Sequence, residues 1–85
     1  MKELKIDEVR PEVIKFAIAM ERRLRINDYK GGWQKEQPQY FVNKIFTHFS
    51  QLWDDILYDD YYYATLDCIN IANYCMMLYD NLEKY

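Results

Sequence analysis

An all-α fold is what this sequence predicts, and three observations carry the prediction. The 85 residues include only two glycines and two prolines, too few turn formers for many short strands. Apolar side chains recur at three- and four-residue steps through most of the chain. A composition of 51% hydrophobic and 18% aromatic residues then points to one globular domain over residues 1–85 rather than a disordered tail. A chain this short buries roughly 60 to 65% of the surface its unfolded form exposes. Nine tyrosines, four phenylalanines and two tryptophans exceed what one small core can hide, so an oligomer is expected.

The elements follow in order. Residues 1–9 have no periodicity and read as an irregular lead-in. Pro11 suits the first turn of a helix, where its missing N–H is not needed, and Glu12 suits the positive end of the helix dipole. Val13, Ala17, Met20 and Leu24 continue that helix over about 11–27. Arg22, Arg23 and Arg25 crowd its end, either complementing the dipole or forming an electropositive rim for phosphate. The only real loop, Asn27 to Pro38, holds both glycines in Lys30-Gly31-Gly32-Trp33. A second helix is predicted over about 39–57 from the stripe Val42, Ile45, Phe46, Phe49, Leu52, Trp53 and Ile56. Asp59 or Asp60 can cap a third, over about 61–82, which is apolar nearly all round. A helix of that kind is buried on most sides. Pairing two helical hairpins about a twofold axis, to make a four-helix bundle, would enclose it.

Charge narrows the function. Residues 1–42 carry nine Lys/Arg against seven Asp/Glu, and residues 43–85 carry two against seven. An acidic chain without a basic stripe is not expected to bind duplex nucleic acid. No stretch reaches the roughly 18 to 20 apolar residues of a membrane span, and the charged N-terminus does not resemble a signal peptide, so a cytoplasmic location is expected. Cys68 and Cys75, seven residues apart on one helix, lie too far apart for a disulfide and read as buried free thiols. Of Tyr61, Tyr62 and Tyr63, which point in three directions, at least one is expected in the core.

Several polar side chains interrupt the apolar helices. Asp67, Asn70 and Asn73 form an i, i+3 ridge on the third helix, and His48 and Gln51 form a matching pair on the second. Facing each other across antiparallel helices, they would make either a hydrogen-bond network that fixes register or a ligand site inside the bundle. Asp54, Asp55, Asp59 and Asp60 read as a solvated face and a helix cap.

The frame Arg10-Pro11-Glu12-Val13, Met20-Glu21, Asn27-Asp28-Tyr29-Lys30-Gly31-Gly32-Trp33 and the run from Asp67 to Asp80 resembles the MazG-like branch of the all-α nucleoside triphosphate pyrophosphohydrolases. The resemblance covers about residues 9–82. It implies a MazG-like four-helix bundle built by dimerisation or tetramerisation. It also implies cleavage of a nucleoside triphosphate to the monophosphate and pyrophosphate, with Mg²⁺ held by Glu-x-x-Glu and Glu-x-x-Asp. Carried over position by position, those metal positions fall on His48, Gln51, Asp67 and Asn70, and only Asp67 remains a carboxylate. Mg²⁺ is a hard cation that needs oxygen ligands, so the site is degenerate, and Mg²⁺ is expected as a cofactor only if activity survives. His48 with Asp67 makes a thin site even for Zn²⁺ or Mn²⁺.

Three functions follow from this. The first is a catalytically impaired relative that binds or sequesters a nucleoside triphosphate, with Lys30 on phosphate, Trp33 as a stacking or lid group and Asn73 as a polar contact. The second is a protein-interaction module that reuses the bundle, its partner surface being the acidic, tyrosine-rich stretch from Asp54 to Tyr63. The third is an active pyrophosphohydrolase with unusual metal ligation.

Overall fold

Two of the three helices start on proline. Pro11 opens α1 (Pro11–Ile26) and Pro38 opens α2 (Pro38–Leu57), each preceded by a residue whose side chain makes no cap. Proline needs no partner for an N–H there, and its φ is already helical. The third helix, α3 (Tyr61–Leu82), is capped by Asp60, whose carboxylate accepts from the Tyr63 N–H at 3.4 Å. The predicted helix bounds agree with the structure to within one residue. The computed structural model describes residues 3–85 apart from the Tyr29 side chain, so the Met1–Lys2 part of the predicted lead-in lies outside the described residues. The rest of that lead-in contains a 3₁₀ turn, Ile6–Glu8, closed by the Val9 N–H on the Ile6 carbonyl at 3.2 Å. A second 3₁₀ turn, Asp28–Lys30, follows α1, and there is no strand among the described residues.

α2 and α3 are joined by a tight turn. Asp59 takes the left-handed conformation (φ 58°), the Asp60 N–H returns to the Asp55 carbonyl at 2.7 Å, and the Asp59 N–H returns to Ile56 at 3.2 Å. This pair of bonds satisfies the last carbonyls of α2 and reverses the chain within three residues. The result is an antiparallel hairpin in which His48 lies opposite Tyr74.

α1 docks on the other side of α3, also antiparallel to it, with Met20 level with Asn73 and Arg23 level with Asn70. Among the described residues α1 and α2 do not pack on each other. α3 therefore lies between α1 and α2 and packs on both.

Three helices of this length enclose little. Among the described residues Phe41 and Ala64 are the buried apolar ones. Phe46, Phe49, Trp53, Ile56 and Leu57 on α2 are each more than half exposed. Cys68 and Cys75, expected to be buried, are exposed free thiols. Tyr61, Tyr62 and Tyr63, one of which was expected in the core, are all exposed as well. Among the described residues no helix is long and apolar enough to cross a membrane.

Candidate functional site

The polar ridge of α3 divides between its two neighbours. Steps of three residues turn by about 300° on an α-helix, so each successive member of an i, i+3 ridge drifts by about 60° around the axis. Asp67 consequently stays on the α2 side, while Asn70 and Asn73 reach α1. Arg23 Nε donates to Asn70 Oδ1 at 3.3 Å, and Asn73 Nδ2 donates to the Met20 carbonyl at 3.2 Å. The expected facing of all three residues with His48 and Gln51 is not what forms. His48 stacks on Tyr74, with ring centroids 5.4 Å apart and planes 25° from parallel.

Beside Asn70 and Asn73 lies a cavity of about 180 Å³. Its walls come from the end of α1 (Arg23, Asn27), the glycine loop (Lys30 to Trp33), Tyr40 of α2, and Asn70, Asn73 and Tyr74 of α3. Lys30, Trp33 and Asn73, singled out from the sequence, share this one cavity. Gly31 at φ 87° needs the conformational freedom of glycine to turn the loop back toward α3.

The loop is pinned there by α3. Asn81, which is buried, donates through Nδ2 to the Trp33 carbonyl at 3.0 Å and the Glu36 carbonyl at 3.4 Å. Asp80 Oδ2 accepts from the Trp33 indole at 3.1 Å and pairs with Lys84 at 3.6 Å. Trp33 is thereby held as a fixed wall. The sequence reading did not single out Asp80 or Asn81, because an Asp-Asn pair at a helix end ordinarily reads as solvated.

Of the arginines at the end of α1, Arg23 alone lines this cavity. Arg25 pairs with Glu21 on the surface at 3.4 Å, and Arg22 borders an outer groove with Ile14 and Ile18. The Arg23 charge reaches His48 and Tyr74. Burial holds the His48 imidazole below its ordinary pKa, Gln51 partly offsets this, and Lys44 and Arg23 add to the lowering. Burial also raises Tyr74, as does Tyr40, against the opposing pull of Arg23.

Asp67 lies in a separate cluster. It is buried, its Oδ2 has no hydrogen-bond donor, and its pKa is raised to about 6 by burial, then by a hydrogen bond and charge from Asp55, then by Asp60. Asp55 therefore belongs to the α2–α3 interface and not to a solvated face, which corrects the sequence reading. It lies seven residues after His48, as Asp67 lies seven before Tyr74, and it is half-buried, whereas Asp54 is exposed.

These residues do not fit Mg²⁺. Asp67 is held largely protonated in the acidic range, His48 offers nitrogen, Gln51 is exposed, and the Asn70 oxygen is engaged by a cation. Among the described residues no group of three His, Cys, Asp or Glu side chains could hold a metal ion. The arrangement sets two cationic side chains, Arg23 and Lys30, two acidic ones, Asp28 and Glu36, and three aromatic rings around one cavity, a setting for a ring-bearing ligand whose anionic group meets the Arg23 guanidinium.

No family model, no curated protein and no solved structure matches this chain.

Proposed function

We propose that the protein is a degenerate MazG-like bundle protein that binds a nucleoside triphosphate without hydrolysing it and acts by sequestration. The observation that carries this reading is the convergence of Arg23, Lys30, Trp33 and Asn73 on one cavity lined by Tyr40 and Tyr74. Guanidinium and ammonium groups suit phosphate, and aromatic faces suit a base. The cavity of one protomer is smaller than the roughly 300 Å³ or more of a site that encloses a small ligand, so it receives part of the nucleotide and leaves the rest at its open side.

The protein works as a homodimer in this reading, in a cytoplasmic setting where its thiols stay reduced. Two α2–α3 hairpins pair through Phe46, Phe49, Trp53 and Ile56 into a four-helix bundle, which covers the apolar stripe that one protomer exposes.

Isothermal calorimetry with each common deoxynucleoside triphosphate tests the proposal. Saturable binding without release of pyrophosphate is the expected result. Absence of heat and of thermal stabilisation at millimolar concentration would exclude it.

A second reading, a protein-interaction module, is favoured by one observation. Tyr58, Tyr61, Tyr62 and Tyr63 stand exposed beside Asp59 at the α2–α3 turn, an aromatic and acidic surface of the kind used to bind partners.

A further inference from the structure

We infer that the Arg23 guanidinium stands in for a divalent cation, so that this pocket binds the phosphates of its ligand without a metal ion. The inference rests on the nucleotide-binding reading above and adds to it how the negative charge is met.

Two observations lead there. Arg23 Nε donates to Asn70 Oδ1 at 3.3 Å, and Asn70 occupies a position that the resemblance assigns to a metal-binding carboxylate. An amide in place of that carboxylate removes an acceptor charge that would neutralise the guanidinium. Second, the arginine is half-buried and lines the cavity with Lys30, Asp28 and Glu36, and among the described residues no ion pair joins it to either acid. Among the described residues only its Nε is hydrogen-bonded, which leaves the paired Nη donors for an oxyanion.

A divalent ion placed beside Arg23 would meet that positive charge, and among the described residues no group of three His, Cys, Asp or Glu side chains could hold it. A phosphate oxygen meets instead a planar fork suited to bidentate hydrogen bonding and anchored to α3 through Nε. Every substitution that weakens the site for Mg²⁺ is compatible with direct anion binding. Asn70 holds the guanidinium without adding a negative charge of its own.

Calorimetric titration of the full chain with deoxynucleoside triphosphates and with inorganic triphosphate, in excess EDTA and in excess Mg²⁺, tests this. The expected result is binding in EDTA that is at least as tight as in Mg²⁺, because Mg²⁺ competes for the same phosphate oxygens. Arg23→Gln should weaken binding in EDTA by about tenfold or more, and Arg23→Lys should retain part of it. Binding only in Mg²⁺ overturns the inference and leaves nucleotide binding standing, as does wild-type affinity in a folded Arg23→Gln protein. No binding in either condition overturns both. The comparison of EDTA with Mg²⁺ uses the unmodified protein and does not depend on how the variants fold.

Discussion

Arg23 and Asn70, 47 residues apart in the chain, meet through an Nε–Oδ1 hydrogen bond of 3.3 Å that ties the last turns of α1 to the middle of α3. The bond places a cation against the polar ridge of α3 and closes one side of the cavity. It also uses the oxygen that a metal at this position would require.

Asn70→Asp therefore strengthens the α1–α3 contact and does not create a metal site. A carboxylate opposite Arg23 turns a neutral acceptor into an ion pair, worth about 0.5 to 1 kcal/mol at a partly exposed position. Chemical denaturation should show the gain, and added Mg²⁺ should leave the midpoint where it is.

Asn81 governs the loop. Its amide serves the carbonyls of Trp33 and Glu36 together, so Asn81→Ala removes two hydrogen bonds that pin the loop and costs about 1 to 3 kcal/mol. Trp33 emission should shift to longer wavelength as the indole gains water. Asn81→Asp should be at least as damaging, because a carboxylate offers those carbonyls no donor.

Asp67 makes the fold respond to pH in a defined direction. Its carboxyl is raised from 3.8 to about 6 by burial and by Asp55 and Asp60. Between those values the folded state holds the proton more tightly than the unfolded state does, so this group's contribution falls as pH rises from about 4 to about 6 and is level above. His48, whose pKa is lowered, acts in the opposite direction on acidification. Comparing wild type with Asp67→Asn isolates the first effect. The variant should melt higher at pH 7.5, with the difference shrinking toward pH 4.

The apolar stripe of α2 predicts the assembly. Phe49 and Trp53 lie 6.4 Å apart between ring centroids and are 51% and 65% exposed, so charges introduced there act on association before they act on the protomer fold. Light scattering should give twice 10.5 kDa for the wild type and one protomer mass for Phe49→Lys/Trp53→Lys. A wild-type protein that stays monomeric at micromolar concentration would rule the shared bundle out.

The helices were legible in the sequence because two begin on proline, one follows a capping aspartate, and the apolar spacing does not break inside any of them. The destinations of the polar side chains were not. Asp67, Asn70 and Asn73 look like one ridge, yet the drift of a three-residue step sends the first toward α2 and the others toward α1. That division appears only once the docking side of α1 is known. Asp55 was within reach of the register argument, since it repeats the His48 position two turns later. Arg23 was not: three arginines end α1, and only packing selects the one that turns inward.

The most direct test of the central claim uses the two tryptophans. Trp33 lines the cavity and donates its indole N–H to Asp80, whereas Trp53 lies on the outer face of α2. In a nitrogen-15 heteronuclear spectrum recorded at constant protein concentration in EDTA, titration with deoxynucleoside triphosphates should move the Trp33 indole resonance along a saturable path while that of Trp53 stays in place. A Trp33 resonance that does not move at millimolar nucleotide, or equal shifts at both indoles, would contradict the account.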